Sequence, residues 1–413
     1  MTNRPISLNI TKPFVFPDYS ERGWSAISGS VRRFFGDDKA KGIKEFDEYK
    51  NIKNLILVVV DGFGWRFVEE FGEKLSLNKR VEEQGKLFKL TSQFPSTTSN
   101  CITSLTFDKP LGEHLLYEWN MYHPKVDRMI IPFRFSYVGD HMPERLLMDG
   151  YSPSDIFPSY PLSEYLSGIN VNPTVIMPRD YIGSSFNTAN SVGSRMIPYS
   201  GTRQGVNRLR QAVLDDNGSR FFFFYVPYFD SLTHSVGPES KKVRECGIKI
   251  FRELYEGLYK RGMKDALLVI TADHGHTAIS LDRRIYIDEK FPSIVPFIKK
   301  TKKGDYILPA GGPRDLFVHV IPEHVTEVFG TLKEGLKDFA DVLLVEDCIK
   351  AGLFGEGTRL GDLQERMGEI LILPFDNLTV WWKLAESYEK DFKGHHGGLS
   401  PNEMEIPFFM LPL

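Results

Sequence analysis

Short apolar runs alternate with amphipathic stretches along most of this chain. The first strong run is Leu55 to Val60, a continuous series of branched apolar residues that is typical of a central parallel strand. It ends in Asp61 and Gly62, and an amphipathic stretch from Trp65 to Leu75 follows. This order predicts the strand, turn and helix of an α/β fold.

The same pattern recurs further along the chain. Buried strands are predicted for Arg220 to Tyr228 and for Ala266 to Thr271, with a helix from Ser240 to Arg261 between them. Thr174 to Met177 is a shorter strand candidate. Because strands and helices alternate, we predict a three-layer αβα sandwich around a mostly parallel sheet.

The pattern changes between about residues 300 and 390. Here the strand candidates are Leu316 to Ile321, Val342 to Val345 and Ile370 to Leu373. A helix is indicated by apolar residues at helical spacing, namely Val325, Val328, Phe329, Leu332 and Leu336. We predict a small inserted α+β subdomain at 296–389, with a catalytic core formed by 1–295 and 390–413. The insertion would be a substrate cap or an oligomerisation element.

Two further segments have little periodicity. The first, from roughly 108 to 165, is rich in Pro, Tyr and Met, and we interpret it as long loops over one edge of the sheet. The second is the run 311–314, Gly-Gly-Pro-Arg. We interpret it as a turn followed by a surface arginine, Arg314, with contact to a phosphate as the alternative.

Composition places the chain among soluble globular proteins. It has 413 residues, 41% of them hydrophobic and 25% charged, which is enough for more than one typical domain. The net charge of −3 provides no general attraction to nucleic acid or to an acidic membrane. Three separated cysteines, Cys101, Cys246 and Cys348, indicate neither a disulfide framework nor a zinc ribbon. With no signal-like or membrane-spanning run, we expect a cytoplasmic protein of undetermined oligomeric state.

Acidic residues and histidines follow several of the predicted strands. Asp273 and His274 come directly after the strand that ends at Thr271 and are followed by a turn-forming glycine. Ligands bind at the carboxyl ends of strands in open α/β sheets, and this pair of side chains suits a divalent metal. In isolation, an ordinary strand end with a capping Asp would explain the pair equally well.

Two other short segments carry comparable side chains. Asp230 and His234 are four residues apart, so on one helical turn they would share a face. His395 and His396 lie between glycines. Taken singly, a helix cap with a surface histidine and a flexible loop are the alternatives. A Ser-Thr-Thr run ending at Thr98 precedes an apolar stretch, as at a helix N-terminus that favours anions.

Together these segments resemble the alkaline phosphatase superfamily, and most closely its nucleotide pyrophosphatase/phosphodiesterase branch. The resemblance rests on five motifs in order: Val-Asp-Gly at 60–62, Phe-Pro-Ser-Thr-Thr at 94–98, Asp-x-x-x-His at 230–234, Asp-His-Gly at 273–275 and His-Gly at 396–397. It runs from about residue 54 to 280 and resumes near 392. The implied fold is the same αβα sandwich.

The resemblance implies two divalent metal ions, commonly zinc, with manganese as the alternative. One ion would be held by Asp230, His234 and His396. The other would be held by Asp61, Thr98, Asp273 and His274. Two such ions can bind the attacking and leaving oxygens of an in-line displacement. Thr98 would be the nucleophile and form a phosphothreonine that water then hydrolyses, with Thr97 and Ser96 as the fallback candidates.

Two features of the segment after Thr98 concern the substrate, and the first is a departure from the branch. The branch has an Asn downstream of the nucleophile, but counting from Thr98 this place falls on Trp119, with Asn120 beside it. We take Asn120 as the substrate-binding candidate. No arginine occurs between Thr98 and His123, which favours a diester over a monoester because its single charge needs less neutralisation. The aromatic residues Tyr117, Trp119 and Tyr122 would stack on a substrate or pack in the core.

The sequence therefore predicts a two-metal hydrolase that cleaves phosphodiester or pyrophosphate bonds of a small, nucleotide-like substrate. A phosphomonoesterase, a phosphonate hydrolase or a phosphotransferase of the same superfamily is the alternative. An inactive metal-bound binding module is the alternative from another class. His276 and His395 each adjoin a predicted ligand, and we assign them either contact with the substrate or support of a ligand.

Overall fold

The computed structural model describes residues 8, 10–215, 218, 220–383 and 391–413. No helix in these ranges is long and apolar enough to cross a membrane. The strands in the described ranges are β1 Asn54–Val60, β2 Lys86–Thr91, β3 Met121–His123, β4 Arg128–Ile131, β5 Ser136–Tyr137, β6 Asn172–Pro178, β7 Arg195–Tyr199, β8 Arg220–Val226, β9 Ala266–Thr271, β10 Thr277–Ala278, β11 Arg284–Tyr286, β12 Ala310–Gly312, β13 Asp315–Val318, β14 Ala340–Leu344, β15 Ile370–Pro374, β16 Thr379–Trp381, β17 Gly394–His395 and β18 Glu405–Pro412.

Helices connect and cover these strands. Within the same ranges the α-helices are α1 Ala26–Phe34, α2 Trp65–Phe71, α3 Asn78–Gln84, α4 Thr98–Phe107, α5 Leu111–His114, α6 Arg145–Met148, α7 Leu162–Gly168, α8 Ser185–Asn190, α9 Thr202–Leu214, α10 Tyr228–Val236, α11 Lys241–Leu254, α12 Ile287–Lys290, α13 Val325–Leu336, α14 Val345–Lys350, α15 Leu360–Met367 and α16 Pro401–Met404.

A seven-stranded sheet forms the centre of the molecule, in the order β2-β18-β9-β1-β8-β6-β7. Strand β1 lies between β8 and β9 and is parallel to both, with Val60 opposite Val226 and Val59 opposite Thr271. Every residue of β1 is buried, as expected for a strand covered by helices on both faces. The predicted αβα sandwich with a mostly parallel sheet is confirmed.

One strand of this sheet runs against the others. Strand β18, formed by the apolar C-terminal segment, pairs antiparallel with both β2 and β9. Its backbone therefore links the edge of the sheet to the strand that precedes Asp273. Among the covering helices, α11 packs against α9 and α10, and α4 packs against α1, α7 and α8.

A second, antiparallel sheet has the order β12-β13-β15-β14, and α13 packs on β14. It has its own hydrophobic cluster, which includes Leu316, Val328, Leu332, Ile372 and Trp382. This region therefore contains both strands and helices. The inserted α+β subdomain at 296–389 stays a prediction, and its last residues, 384–389, lie outside the described residues.

The segment from 108 to 165 differs from the predicted long loops. It contains α5, α6, the start of α7 and a three-stranded antiparallel sheet of β3, β4 and β5. These strands have only two to four residues each, so their alternation is too short to produce a clear pattern in the sequence.

Candidate metal centre

Neighbouring strands of the main sheet bring the predicted acidic side chains together. Asp61 directly follows β1, and Asp273 follows β9 by two residues. The next parallel strand, β8, leads into α10, which carries Asp230 and His234 in its first and last turns. Because these strands are parallel, their carboxyl ends meet at one edge of the sheet.

Asp61 and Asp273, together with the neighbouring His274, form what we call the inner group. The His274 Nε2 lies 3.4 Å from the Asp61 Oδ1 and 3.6 Å from the Asp273 Oδ2. Asp273 and His274 are completely buried, and the Asp61 side chain is 4% exposed. Their ligand atoms are close enough together to hold one metal ion.

Three further side chains form the outer group, Asp230, His234 and His396. The Asp230 Oδ1 lies 3.3 Å from the His234 Nε2 and 3.9 Å from the His396 Nε2. The three side chains are 12–15% exposed, so this group faces the solvent side of the site. It too has the spacing of a metal site.

Backbone carbonyls fix the orientation of the histidine rings. The Nδ1 atoms of His234, His274 and His396 lie 2.8, 3.0 and 2.9 Å from the carbonyl oxygens of Gly394, Gly275 and Ser96, respectively. When Nδ1 donates to a carbonyl, Nε2 carries the lone pair and is available to a metal. All three Nε2 atoms face the carboxylates of the two groups.

Electrostatics at the site favour a bound cation. Burial, together with the nearby carboxylates of Asp273 and Asp230, raises the pKa of Asp61 well above its ordinary value. The buried Asp273 Oδ2 accepts no hydrogen bond from the described residues. Burial and the neighbouring imidazoles also lower the pKa of His396 well below its ordinary value. The raised pKa of Asp61 means that a charged carboxylate is unfavourable there without a counter-charge, which a bound cation would supply. The neutral imidazole is the form of histidine that binds a metal, so these residues fit a metal.

The hydroxyl of Thr98 contacts the inner group. Its Oγ1 lies 3.4 Å from the Asp61 Oδ1 and 3.1 Å from the His274 Nε2. The two fallback hydroxyls bond elsewhere. Ser96 donates to the Gly398 carbonyl at 2.8 Å, and Thr97 donates to the Tyr117 carbonyl at 3.0 Å. Of the three hydroxyls, Thr98 alone contacts the inner group.

The hydrogen bond from Thr97 to the Tyr117 carbonyl holds the segment after Tyr117 beside the turn that leads to Thr98. Asn120 is buried, and its carbonyl accepts a hydrogen bond of 2.9 Å from the Gly311 amide. Trp119 is 46% exposed. Tyr117 is completely buried and belongs to the core. The side-chain contacts do not tie Asn120 to Thr98, so its role in substrate binding stays a prediction.

His276 is more closely integrated into the site than the sequence indicated. Its Nε2 lies 2.8 Å from the Asp230 Oδ1, and its ring is completely buried. With Asp230 and His274 it forms a third set of possible ligands. Gly62 has a φ of 72°, and a Cβ at this position would lie 2.8 Å from the His276 ring. The only signal in the sequence is its place two residues after His274.

His395 lies beside the outer group without belonging to any of the three ligand sets. Its ring centroid is 5.3 Å from that of His234, and its Nδ1 lies 2.9 Å from the His396 carbonyl oxygen. The position agrees with support of a ligand, which stays a prediction.

Sequence reasoning missed two tyrosines at the site. The Tyr225 hydroxyl donates a hydrogen bond to the Asp61 Oδ2. The Tyr181 ring centroid lies 6.3 Å from that of Tyr225, and 39% of Tyr181 is exposed. Partial burial and the carboxylates of Asp61 and Asp230 raise the pKa of Tyr181 to about 12. Tyr225 lies inside an apolar run, where a core position was the natural expectation.

Comparisons with known proteins agree with this geometry. A family model described as type I phosphodiesterase/nucleotide pyrophosphatase matches residues 55–399. A search of the curated proteins finds no match. Among solved structures, murine ectonucleotide pyrophosphatase/phosphodiesterase 5 is similar, with a TM-score of 0.64 and 16% identity over 87% of this chain and 88% of that chain.

Two other solved structures carry ligands. An inactive form of the same murine protein in complex with AMP has a TM-score of 0.64 and 16% identity, with 87% of each chain covered. Phosphonoacetate hydrolase from Sinorhizobium meliloti in complex with phosphonoformate has a TM-score of 0.62 and 16% identity, with 88% of this chain and 92% of that chain covered. At this level of identity the similarity shows a shared fold.

Proposed function

Because this chain belongs to the type I phosphodiesterase/nucleotide pyrophosphatase family, we propose that it hydrolyses phosphodiester or pyrophosphate bonds with two divalent metal ions. The family indicates a phosphoric ester hydrolase. The observation that carries the finer proposal is the position of the Thr98 hydroxyl, 3.1 Å from the His274 Nε2 and 3.4 Å from the Asp61 Oδ1. A candidate nucleophile thus lies within a candidate metal site, and a second such site lies beside it.

The two groups of side chains would each hold one ion. The inner group, with the Thr98 hydroxyl, offers two carboxylates and an imidazole, and the outer group offers one carboxylate and two imidazoles. Mixed nitrogen and oxygen ligands of this kind suit zinc, and manganese is the alternative. When bound, such ions supply positive charge that lowers the pKa of a hydroxyl and stabilises a phosphoryl group under attack.

The protein residues would divide the work as follows. The Thr98 Oγ1 would lose its proton to solvent and attack phosphorus. The bond from phosphorus to the leaving oxygen would break, and the leaving group would depart as an anion or take up a proton from solvent. The phosphoryl group is then attached to Thr98, and water hydrolyses that ester to regenerate the hydroxyl. The bonds from Ser96, Thr97 and Tyr225 hold the nucleophile turn and Asp61 in place during both steps.

A diester or a pyrophosphate is the proposed substrate class. The sequence has no arginine between Thr98 and His123, and a diester with its single charge needs less neutralisation than a doubly charged monoester. The exposed ring of Tyr181 lies near the carboxylates of both groups and offers an apolar surface for a leaving group or a base. AMP in one structural neighbour supports a small, nucleotide-like substrate.

Hydrolysis of a phosphonate is the second candidate. It is supported by the similarity to phosphonoacetate hydrolase, which covers 88% of this chain. The same nucleophile and ligands would serve, and the bond broken would be the one between carbon and phosphorus.

The test compares bis-p-nitrophenyl phosphate with p-nitrophenyl phosphate, each with added zinc or manganese. We expect faster cleavage of the diester and a loss of about a thousandfold or more in kcat for Thr98→Ala. Thr106→Ala is the matched control, because Thr106 lies on the same helix and its hydroxyl, among the described residues, bonds only the Ile102 carbonyl. Faster cleavage of the monoester would reject the diester proposal. Full activity of Thr98→Ala would reject the nucleophile.

A further inference from the structure

Arg314 is completely buried, in contrast to the surface arginine that the sequence indicated. It forms a two-pronged ion pair with Glu403, in which Nε donates to Oε1 at 3.0 Å and Nη2 donates to Oε2 at 2.9 Å. The Glu403 side chain is also completely buried. Arg314 precedes β13 of the four-stranded sheet, whereas Glu403 lies on α16 beside the main sheet.

Glu403 contacts the loops that carry one histidine of each group. Its Oε1 accepts a hydrogen bond of 3.1 Å from the amide of Gly398, two residues after His396. Its carbonyl oxygen accepts a hydrogen bond of 2.8 Å from the amide of Gly275, the residue after His274. A single residue therefore positions the backbone beside an inner and an outer ligand.

The His396 loop is in turn attached to the nucleophile turn. Ser96 donates from Oγ to the Gly398 carbonyl at 2.8 Å, and its own carbonyl contacts the His396 Nδ1 at 2.9 Å. Ser96 lies two residues before Thr98. A continuous series of hydrogen bonds thus runs from Arg314 through Glu403 and Gly398 to the turn that carries the proposed nucleophile.

The fit of Arg314 leaves little room for a substitute. Its Nη1 donates to the Leu378 carbonyl at 2.6 Å. The guanidinium therefore links the segment before β13 to both Leu378 and Glu403. The loop after His396 also packs closely against the residues next to Arg314. A Cβ at Gly398 would lie 3.0 Å from the Glu403 Oε2, and one at Gly397 would lie 2.4 Å from the Asp315 Oδ1. The planar, forked guanidinium donates to both Glu403 carboxylate oxygens and to the Leu378 carbonyl, and a lysine could not satisfy all three acceptors.

We infer that Arg314 is a positioning residue through which the four-stranded sheet sets the geometry of both metal groups. This inference rests on the proposed function, since it assumes that the groups hold metal. It gives the region around β13 a direct role in the site, beyond that of a cover over the substrate or a contact between subunits. Groups that orient metal ligands typically affect metal affinity by tenfold to a hundredfold.

The experiment measures zinc affinity of the metal-free protein by competition with a chromophoric chelator. We expect Arg314→Lys to weaken zinc binding about tenfold or more. Arg220→Lys is the matched control. Arg220 is also buried and donates to Asn54, Ala212 and Val213 at the far end of the sheet, so its loss affects stability without touching the ligand loops. We expect its zinc affinity to stay within about twofold of wild type, whatever the change in thermal midpoint.

Glu403→Gln is the second variant, in case Arg314→Lys does not fold. It keeps the size of the side chain but loses the charge and one acceptor, and we expect it to weaken zinc binding as well. Wild-type affinity in Arg314→Lys or Glu403→Gln would overturn the inference and leave the proposed function intact. A wild-type protein that neither binds zinc nor cleaves the diester would overturn both.

Discussion

The inner and outer groups of the metal centre differ in how the fold supports them. The inner group follows two paired strands, β1 and β9, and its side chains are at most 4% exposed. The outer group combines the helix α10 with the loop around His396, and its side chains are 12–15% exposed. The inner group therefore follows directly from the sheet, whereas the outer group depends on contacts between a helix and a separate loop.

This difference bears on how each group responds to change. Removing one of the two carboxylates of the buried inner group would leave a bound cation with too little negative charge around it. It would also change the surroundings of the Thr98 hydroxyl. A partly exposed group can exchange its ion with solvent more readily. We therefore expect changes to the inner group to have the larger effects on activity, and changes to the outer group to appear first as weaker metal binding.

The largest effect is expected for Asp273→Asn. It removes one of the two carboxylates of the inner group and should lower the hydrolysis of bis-p-nitrophenyl phosphate about a thousandfold or more. The metal-free variant should stay folded, because burial and the charge of Asp273 together raise the pKa of Asp61 and the substitution relieves that repulsion. Activity within tenfold of wild type, measured at saturating zinc, would show that the inner group is not the reacting site.

A smaller effect is expected for His396→Ala. It removes one of the two imidazoles of the outer group, and we expect about a hundredfold loss of kcat at low zinc, with partial recovery when zinc is raised. Zinc in the inner group should be retained, as measured by metal content after gel filtration. Equal loss of both ions would contradict the separation of the two groups.

The smallest effect is expected for His276→Asn. The imidazole contacts Asp230 at 2.8 Å and would orient that carboxylate toward an ion, so its loss should weaken zinc binding by the outer group about tenfold. The inner group should be unaffected. A loss of activity as large as that of Asp273→Asn would instead identify His276 as a ligand shared by both groups.

The inner and outer groups also differ in how far the sequence could predict them. Strands β1 and β9 are unbroken apolar runs, so the places of Asp61, Asp273 and His274 just after strands could be predicted from the pattern, whereas their assignment as metal ligands came from the family resemblance. The outer group needed the family resemblance, because His396 lies 162 positions after His234 in the chain and no local pattern relates the two.

Other features arise from packing between distant parts of the chain, which the pattern of apolar and polar residues does not show. The apolar C-terminal segment gave no indication that β18 would pair antiparallel between β2 and β9. The burial of Arg314 depends on Glu403, which is 89 positions away. The contact of His276 with Asp230 requires Gly62 to have no side chain, and such a requirement becomes visible only in three dimensions.

The most direct test of the account is the number of zinc ions that the metal-free chain binds, followed by native mass spectrometry during a zinc titration. We expect two ions per chain for wild type, and one each for Asp273→Asn and His396→Ala at the same zinc concentration. A wild-type chain that binds one ion, or none, would contradict the proposed two-metal site.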